Sequence, residues 1–121
     1  MTVLVACLGA GKGTWNYMKE LIEKESWSSV FLVTTSFGKE NFKTEKAGKG
    51  TEFIVINDRQ PLPDLVKEIM KQLEGRIMDT EAALNLVSGT GKIHMAMLSA
   101  LLKLGLGIRL IALTYEGIRE I

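Results

Sequence analysis

The sequence has few of the residues that usually form metal sites and disulfide scaffolds, with one cysteine and one histidine among 121 residues. A single cysteine excludes a disulfide framework and a multi-cysteine zinc site within one chain. Cys7 itself lies in a short apolar run, so we interpret it as a small core residue of a strand. The sequence therefore indicates no metal site and no resident cofactor.

The sequence also lacks an excess of charge of either sign. It has 15 lysines and arginines against 14 acidic residues, which leaves a formal net charge of +1. A chain of this charge has no long-range field that would favour binding to long nucleic acid. Any anion-binding site must therefore be local. The length favours a single domain spanning residues 1–121.

No apolar run approaches the roughly 20 residues that a membrane-spanning helix needs. The apolar stretch at the N-terminus is short and has no basic segment before it, so it is typical of a strand rather than a signal peptide. We therefore expect a soluble cytoplasmic protein with no membrane partner.

Apolar runs bounded by glycine or polar residues predict strands, and apolar residues at helical spacing predict helices. The predicted strands are 2–8, 30–35, 52–57, 82–87 and 108–114, with a short edge strand at 118–121. The predicted helices are 15–25, 63–75 and 92–104. This alternation predicts an α/β fold: a Rossmann-like three-layer sandwich with a mostly parallel sheet of five strands and a short C-terminal antiparallel edge strand. A polar loop with room for a short helix is expected over 37–51.

The predicted helix 92–104 is apolar around most of its circumference. Only Lys92, Ser99 and Lys103 form a polar stripe. One sheet cannot bury so much apolar surface, so the pattern favours a second subunit packed on this helix as a homodimer. The alternative is that neighbouring helices of the same chain cover it.

Two glycine-rich turns carry the clearest functional signal. GAGKGT (9–14) and SGTGK (88–92) each follow an apolar strand, open a helix and contain a lysine and hydroxyl residues. Helix N-termini present unpaired N–H groups that favour phosphate. In a doubly wound sheet both turns would meet at the crevice where the strand order reverses. The alternative is two merely structural turns.

The candidate ligand-binding residues follow from these turns and from the end of the second strand. They are Gly9, Ala10, Gly11, Lys12, Gly13, Thr14, Thr35, Ser36, Ser88, Gly89, Thr90, Gly91, Lys92 and His94. His94, in the first turn of its helix, could contact a phosphate or act as an acid or base; the alternative is a histidine of the helix surface or an interface.

The first turn resembles the phosphate loop of adenylate kinases. Against this resemblance, Ala6 stands where the motif has its leading glycine. In its favour, Asp58 lies at a strand end, where a magnesium-binding residue could lie. A P-loop-like mononucleotide site therefore stays an alternative. A dinucleotide site is disfavoured because no acidic residue ends the second strand and the third glycine of its motif is misplaced.

The segment 85–105 resembles the signature of the CRISPR-associated Rossmann fold, the CARF domain. That family has an Asn-hydrophobic-Ser/Thr-Gly-Gly-Thr-Lys-x-Met pattern after its fourth strand. Asn85, Ser88, Gly89 and Lys92 match it, while Met95 lies one place further on. Thr90 and Gly91 invert the usual Gly-Thr order.

The resemblance implies a homodimer that binds a cyclic oligoadenylate second messenger across its two-fold axis, here as a stand-alone domain without an effector. It also allows a ring nuclease, in which a ribose 2′-hydroxyl attacks the adjacent phosphate without a metal. Lys92 would then stabilise the transition state, and Thr14 or Ser88 would orient the hydroxyl. A structural or partner-binding domain with empty turns is the third hypothesis.

Two other groups of residues are open to a functional or a structural interpretation. The lysines of the polar loop could close over a ligand as a lid, or could simply be a solvated run. They are Lys39, Lys43, Lys46 and Lys49. Trp15 and Tyr17 could stack on an adenine, although Trp15 is expected in the core.

Overall fold

The computed structural model describes residues 2–44 and 50–121 and shows an α/β fold. The strands are β1 (Val3–Cys7), β2 (Ser29–Thr34), β3 (Thr51–Val55), β4 (Glu81–Asn85), β5 (Gly107–Thr114) and β6 (Gly117–Glu120). The helices are α1 (Trp15–Glu23), α2 (Ser36–Asn41), α3 (Leu62–Leu73) and α4 (Gly91–Lys103). A short 3-10 helix, Lys12–Thr14, leads into α1.

The six strands form one sheet in the order β3-β2-β1-β4-β5-β6. The first five are parallel, and β6 runs antiparallel to β5 at the edge. All five residues of β1 are buried, because this strand pairs on both sides and is covered on both faces. The predicted sheet is therefore confirmed, and the strand order reverses between β1 and β4.

Helices cover both faces of the sheet and make the predicted three layers. Residues of odd number in β1, such as Val5 and Cys7, point toward α3 and α4. Residues of even number, such as Leu4 and Ala6, point toward α1. The period of two along a strand thus divides the core into two clusters, one on each side of the sheet.

The connection between β2 and β3 contains a short helix, for which the polar loop expected over 37–51 left room. The predicted strand 30–35 ends at Thr34, and α2 begins at Ser36. A helix of six residues is too short to show a helical period. The helix packs closely on the sheet because Gly38 has no side chain; a Cβ there would collide with the Thr34 hydroxyl. Phe42, which follows the helix, is buried. Lys46 and Lys49 of the predicted lid lie outside the described residues.

Helix α4 is apolar on two faces, as predicted, and the described part of the chain, residues 2–44 and 50–121, covers only one of them. The buried residues are Ile93, Ala96, Met97, Ala100 and Leu101. Met95, Leu98 and Leu102 remain exposed. Within residues 2–44 and 50–121, no helix has both the length and the apolar character needed to cross a membrane.

Candidate functional site

The two glycine-rich turns lie in direct backbone contact. They follow β1 and β4, which are parallel neighbours, so both turns leave the same edge of the sheet. A Cβ added at Gly9 would lie 2.9 Å from the amide nitrogen and 3.0 Å from the Cα of Gly89. Such an approach is possible only where one partner has no side chain. The structure therefore brings the turns together at the point where the strand order reverses, as the sequence predicts.

The hydroxyl of Ser88 joins the two turns. Ser88 is buried, and its Oγ accepts a hydrogen bond of 2.8 Å from the Gly9 N–H. The same Oγ lies 2.6 Å from the Oγ1 of Thr14. The Gly9 carbonyl accepts a bond of 2.8 Å from the indole N–H of Trp15. Both backbone groups of Gly9 are thus occupied within the protein.

The burial of Ser88 favours one arrangement of the two hydroxyl protons. A buried O–H without an acceptor is costly, whereas Thr14 is half-buried at the rim of the turn. The favoured arrangement therefore has Ser88 donating to Thr14. The Thr14 O–H then remains available to solvent or to a ligand. Ser88 positions this donor rather than facing outward itself.

The second turn packs against Cys7 and is hydrogen-bonded to His94. Gly89 has a backbone φ of +99°, and a Cβ there would also collide with the Cys7 Sγ. The His94 Nε2 lies 2.7 Å from the carbonyl oxygen of Ser88. A carbonyl can only accept, so Nε2 carries the hydrogen. His94 is thus half-buried and bound to the turn that it follows.

Helix α4 begins at the second turn with a side-chain cap. The Thr90 Oγ1 accepts a hydrogen bond from the Ile93 N–H at 3.4 Å. Gly91 and Lys92 are exposed at the first helical positions. The first amides of a helix have no partner within the helix and carry the positive end of its dipole. This arrangement suits an anion.

Among the described residues, an open crevice of about 440 Å³ lies between the turns. Its lining residues are Ala10, Gly11, Gly13, Thr14, Val87, Ser88, Gly89 and Thr90. All of them are glycine, small, hydroxyl or aliphatic residues. A ligand here would meet backbone N–H groups and hydroxyls, and no charged side chain is among these lining residues. Val87 is 49% exposed at the crevice. The sequence does not single it out, because it ends the apolar segment 82–87, which predicts a buried strand.

The two lysines of the turns point elsewhere in this structure. The Lys92 Nζ donates to the backbone carbonyl of Asp58 at 3.0 Å. The Lys12 Nζ lies 5.6 Å from the ring centroid of Trp15 and 5.9 Å from that of Phe37. The role of Lys92 as the stabilising cation stays a prediction.

Other predicted residues have structural roles. Trp15 is in the core, as expected, and the Tyr17 hydroxyl accepts from the Leu113 N–H at 2.8 Å. The buried Asn85 of the signature donates to the Ile111 carbonyl at 2.9 Å and so ties β4 to β5. Thr35 and Ser36 lie at the start of α2 and are not among the described residues that line the crevice.

No family model matches the chain, and no curated protein matches it in sequence. Solved structures share its fold, among them Csm6 from Enterococcus italicus bound to cyclic hexa-2′-fluoro-hexa-dAMP. That match has 16% identity and a TM-score of 0.57, and it covers 94% of this chain. The chain spans only 33% of the length of the Csm6 chain. The likeness supports the CARF-like fold that the segment 85–105 implies.

The contact between the turns leads to a test on glycine. Gly9→Ala should lower the free energy of unfolding by about 1–3 kcal/mol, because the added methyl group meets backbone that must move. Gly11→Ala is the matched control, since a Cβ there meets nothing within 4 Å and the φ is −72°. Urea denaturation measures both. Equal midpoints for the two variants would contradict the close contact.

The buried thiol leads to a prediction on pH. Burial raises the pKa of Cys7 from 9.0 to about 12 because the thiolate would be desolvated. Since the folded value lies above the unfolded one, the thiol's contribution to stability is complete below about pH 9 and is lost as the pH rises toward 12. Between those values the wild type should lose stability more steeply than Cys7→Ala in urea titrations. Parallel curves for the two proteins would show that the thiol is not buried.

Proposed function

We propose that this chain is a CARF-like sensor domain that binds cyclic oligoadenylate in the crevice between its two turns. The observation that carries the proposal is the bridge at Ser88, which joins a turn from β1 and a turn from β4 into one site. Ligands of open α/β sheets bind at this place, where the strand order reverses. Helix α4 begins directly after the crevice residue Thr90, and helix N-termini favour phosphate.

Three groups would contact the phosphates. The Thr14 hydroxyl donates from the first turn, and the amides of Gly91 and Lys92 donate from the start of α4. Gly11 and Gly13 line the crevice and let a phosphate approach the backbone closely. The Lys12 ammonium belongs to the same turn and can turn toward a bound phosphate. Gly9 is a structural member of the turn, because both of its backbone groups are occupied.

Two findings support a cyclic oligoadenylate over other phosphate compounds. The segment 85–105 resembles the CARF signature, and a solved structure with the same fold holds a cyclic hexanucleotide analogue. The net charge of +1 supports a small ligand rather than long nucleic acid. A second messenger of this kind would be met in the cytoplasm, which is the location that we propose.

We also propose that the domain forms a homodimer through α4. Met95, Leu98 and Leu102 make an exposed apolar face, and with Ser99 and Lys103 they line a shallow depression of about 330 Å³. Leu110 of β5 is also exposed, on the sheet face that α4 covers. Contiguous apolar surface of this kind marks interaction sites. Because α4 begins at the crevice, a second copy on this face would bring two crevices near each other.

The position of Lys92 gives no direct support for catalysis. Its ammonium donates to the Asp58 carbonyl, so the proposed stabilising cation of a ring nuclease lies outside the residues that line the crevice. The sensor needs only the donors described above. The binding experiment therefore also measures whether the ring is cleaved.

The binding experiment uses cyclic tetra- and hexa-adenylate and the uncleavable cyclic hexa-2′-fluoro-hexa-dAMP. The wild type should bind the rings whose size fits the crevice. Thr14→Val should weaken that binding about tenfold or more, because it removes a hydrogen bond to a charged phosphate. Thr80→Val is the matched control, as Thr80 is exposed and immediately precedes β4 at the opposite sheet edge. Isothermal titration measures the affinities.

The analogue separates binding from cleavage. It lacks the 2′-hydroxyl that would attack the phosphate, so a nuclease would bind it intact and convert only the natural rings to linear products. Intact natural rings support the sensor, and metal-free linear products would indicate the nuclease. No retention of any ring at micromolar protein would overturn the proposed function.

The dimer is tested by a charge on the exposed face of α4. Leu102→Glu should convert a dimer to a monomer in light scattering after size exclusion, because the carboxylate would be buried in the interface. Met78→Glu is the control, since Met78 is 88% exposed in a loop before β4. A wild type that elutes as a monomer at all concentrations would rule out the dimer.

A further inference from the structure

We propose that the exposed ring of Phe37 is the base-stacking subsite of the crevice, which rests on the proposed function. Phe37 lies in the first turn of α2, directly after β2. The end of β2 is tied to the end of β1, since the Thr34 hydroxyl donates to the Leu8 carbonyl at 2.9 Å. Helix α2 therefore starts beside the first glycine-rich turn. The ring is 45% exposed there.

The segment that carries Phe37 is firmly held. Gly38 packs on Thr34 so closely that a side chain there would collide with the hydroxyl. Phe42, at the other end of α2, is buried and meets the ring of Trp15 edge-on at 5.6 Å. The Asn41 amide donates to the Phe37 carbonyl at 2.8 Å. The backbone that carries the exposed ring thus has a defined position, as a binding platform requires.

A single exposed phenylalanine is ordinary, so the exposure alone means little. The second observation is Lys12, which connects this ring to the anion site. The Lys12 ammonium lies 5.9 Å from the Phe37 centroid and 5.6 Å from the Trp15 centroid. Trp15 and Phe37 are themselves 6.2 Å apart. A positive charge from the phosphate-binding turn therefore lies near the exposed Phe37 ring.

This arrangement matches a nucleotide, which joins an aromatic base to a phosphate. The base would stack on Phe37, and the Lys12 ammonium would pair with the attached phosphate. An exposed cation–π contact is weak, so a phosphate can draw the ammonium away from the rings. The other two rings near the turn are engaged: the Trp15 indole binds the Gly9 carbonyl, and the Tyr17 hydroxyl binds the Leu113 amide.

Stacking on a single ring is tolerant of base identity, because every base has an aromatic face. Phe37 would therefore add affinity for the bases of the ring without selecting adenine over another purine. The selection of a cyclic ligand would remain with the phosphate contacts of the two turns.

The test measures the affinity of three variants for cyclic hexa-2′-fluoro-hexa-dAMP by isothermal titration. Phe37→Ala and Phe37→Leu should bind on the order of tenfold to a hundredfold more weakly than the wild type, and Phe37→Trp should bind as well or better. Leucine is the matched control for apolar contact without an aromatic face. Urea midpoints show whether each variant is folded under the conditions of the titration, and a modest decrease is expected for Phe37→Ala because the ring also contacts Trp15.

The outcomes separate the subsite from the site. Wild-type affinity in Phe37→Leu would overturn the stacking subsite and leave the proposed function standing. A loss in Phe37→Trp equal to that in Phe37→Ala would overturn it as well. No binding by the wild-type protein would overturn the subsite and the proposed function together.

Discussion

The hydrogen bonds of the Ser88 hydroxyl are the interaction on which the rest of the site depends. This one buried group accepts from the Gly9 amide and meets the Thr14 hydroxyl, so it holds together two turns that are 79 residues apart in sequence. The turns can approach only because Gly9 and Gly89 have no side chains. Sheet order brings the turns to the same edge, and the bridge makes them one site.

The roles of the polar residues divide into support and presentation. Ser88, His94 and Asn85 face inward and fix the second turn and its strand. Thr14 lines the crevice, and α4 begins directly after Thr90, which lines it too. This division explains how a site can suit phosphate although no charged side chain is among its described lining residues. Fixed backbone donors lose little freedom when a ligand binds.

The sequence predicts the sheet and the meeting of the turns, because buried parallel strands have continuous apolar runs that are easily recognised. It does not predict side-chain partners. The contact of Lys92 with Asp58 and that of Lys12 with Phe37 depend on tertiary distances that no spacing along the chain encodes. Helix α2 is too short for its period to be seen, so the exposed Phe37 could be found only in the structure.

The most direct test of the account is an amide NMR titration of the labelled protein with cyclic hexa-2′-fluoro-hexa-dAMP. If the turns form one phosphate site, the amide signals of Gly11, Gly13, Gly89 and Gly91 will shift together along a single binding curve. Gly107, at the opposite edge of the sheet, will stay unchanged. Shifts confined to one turn, or centred on Gly107, would contradict a shared site.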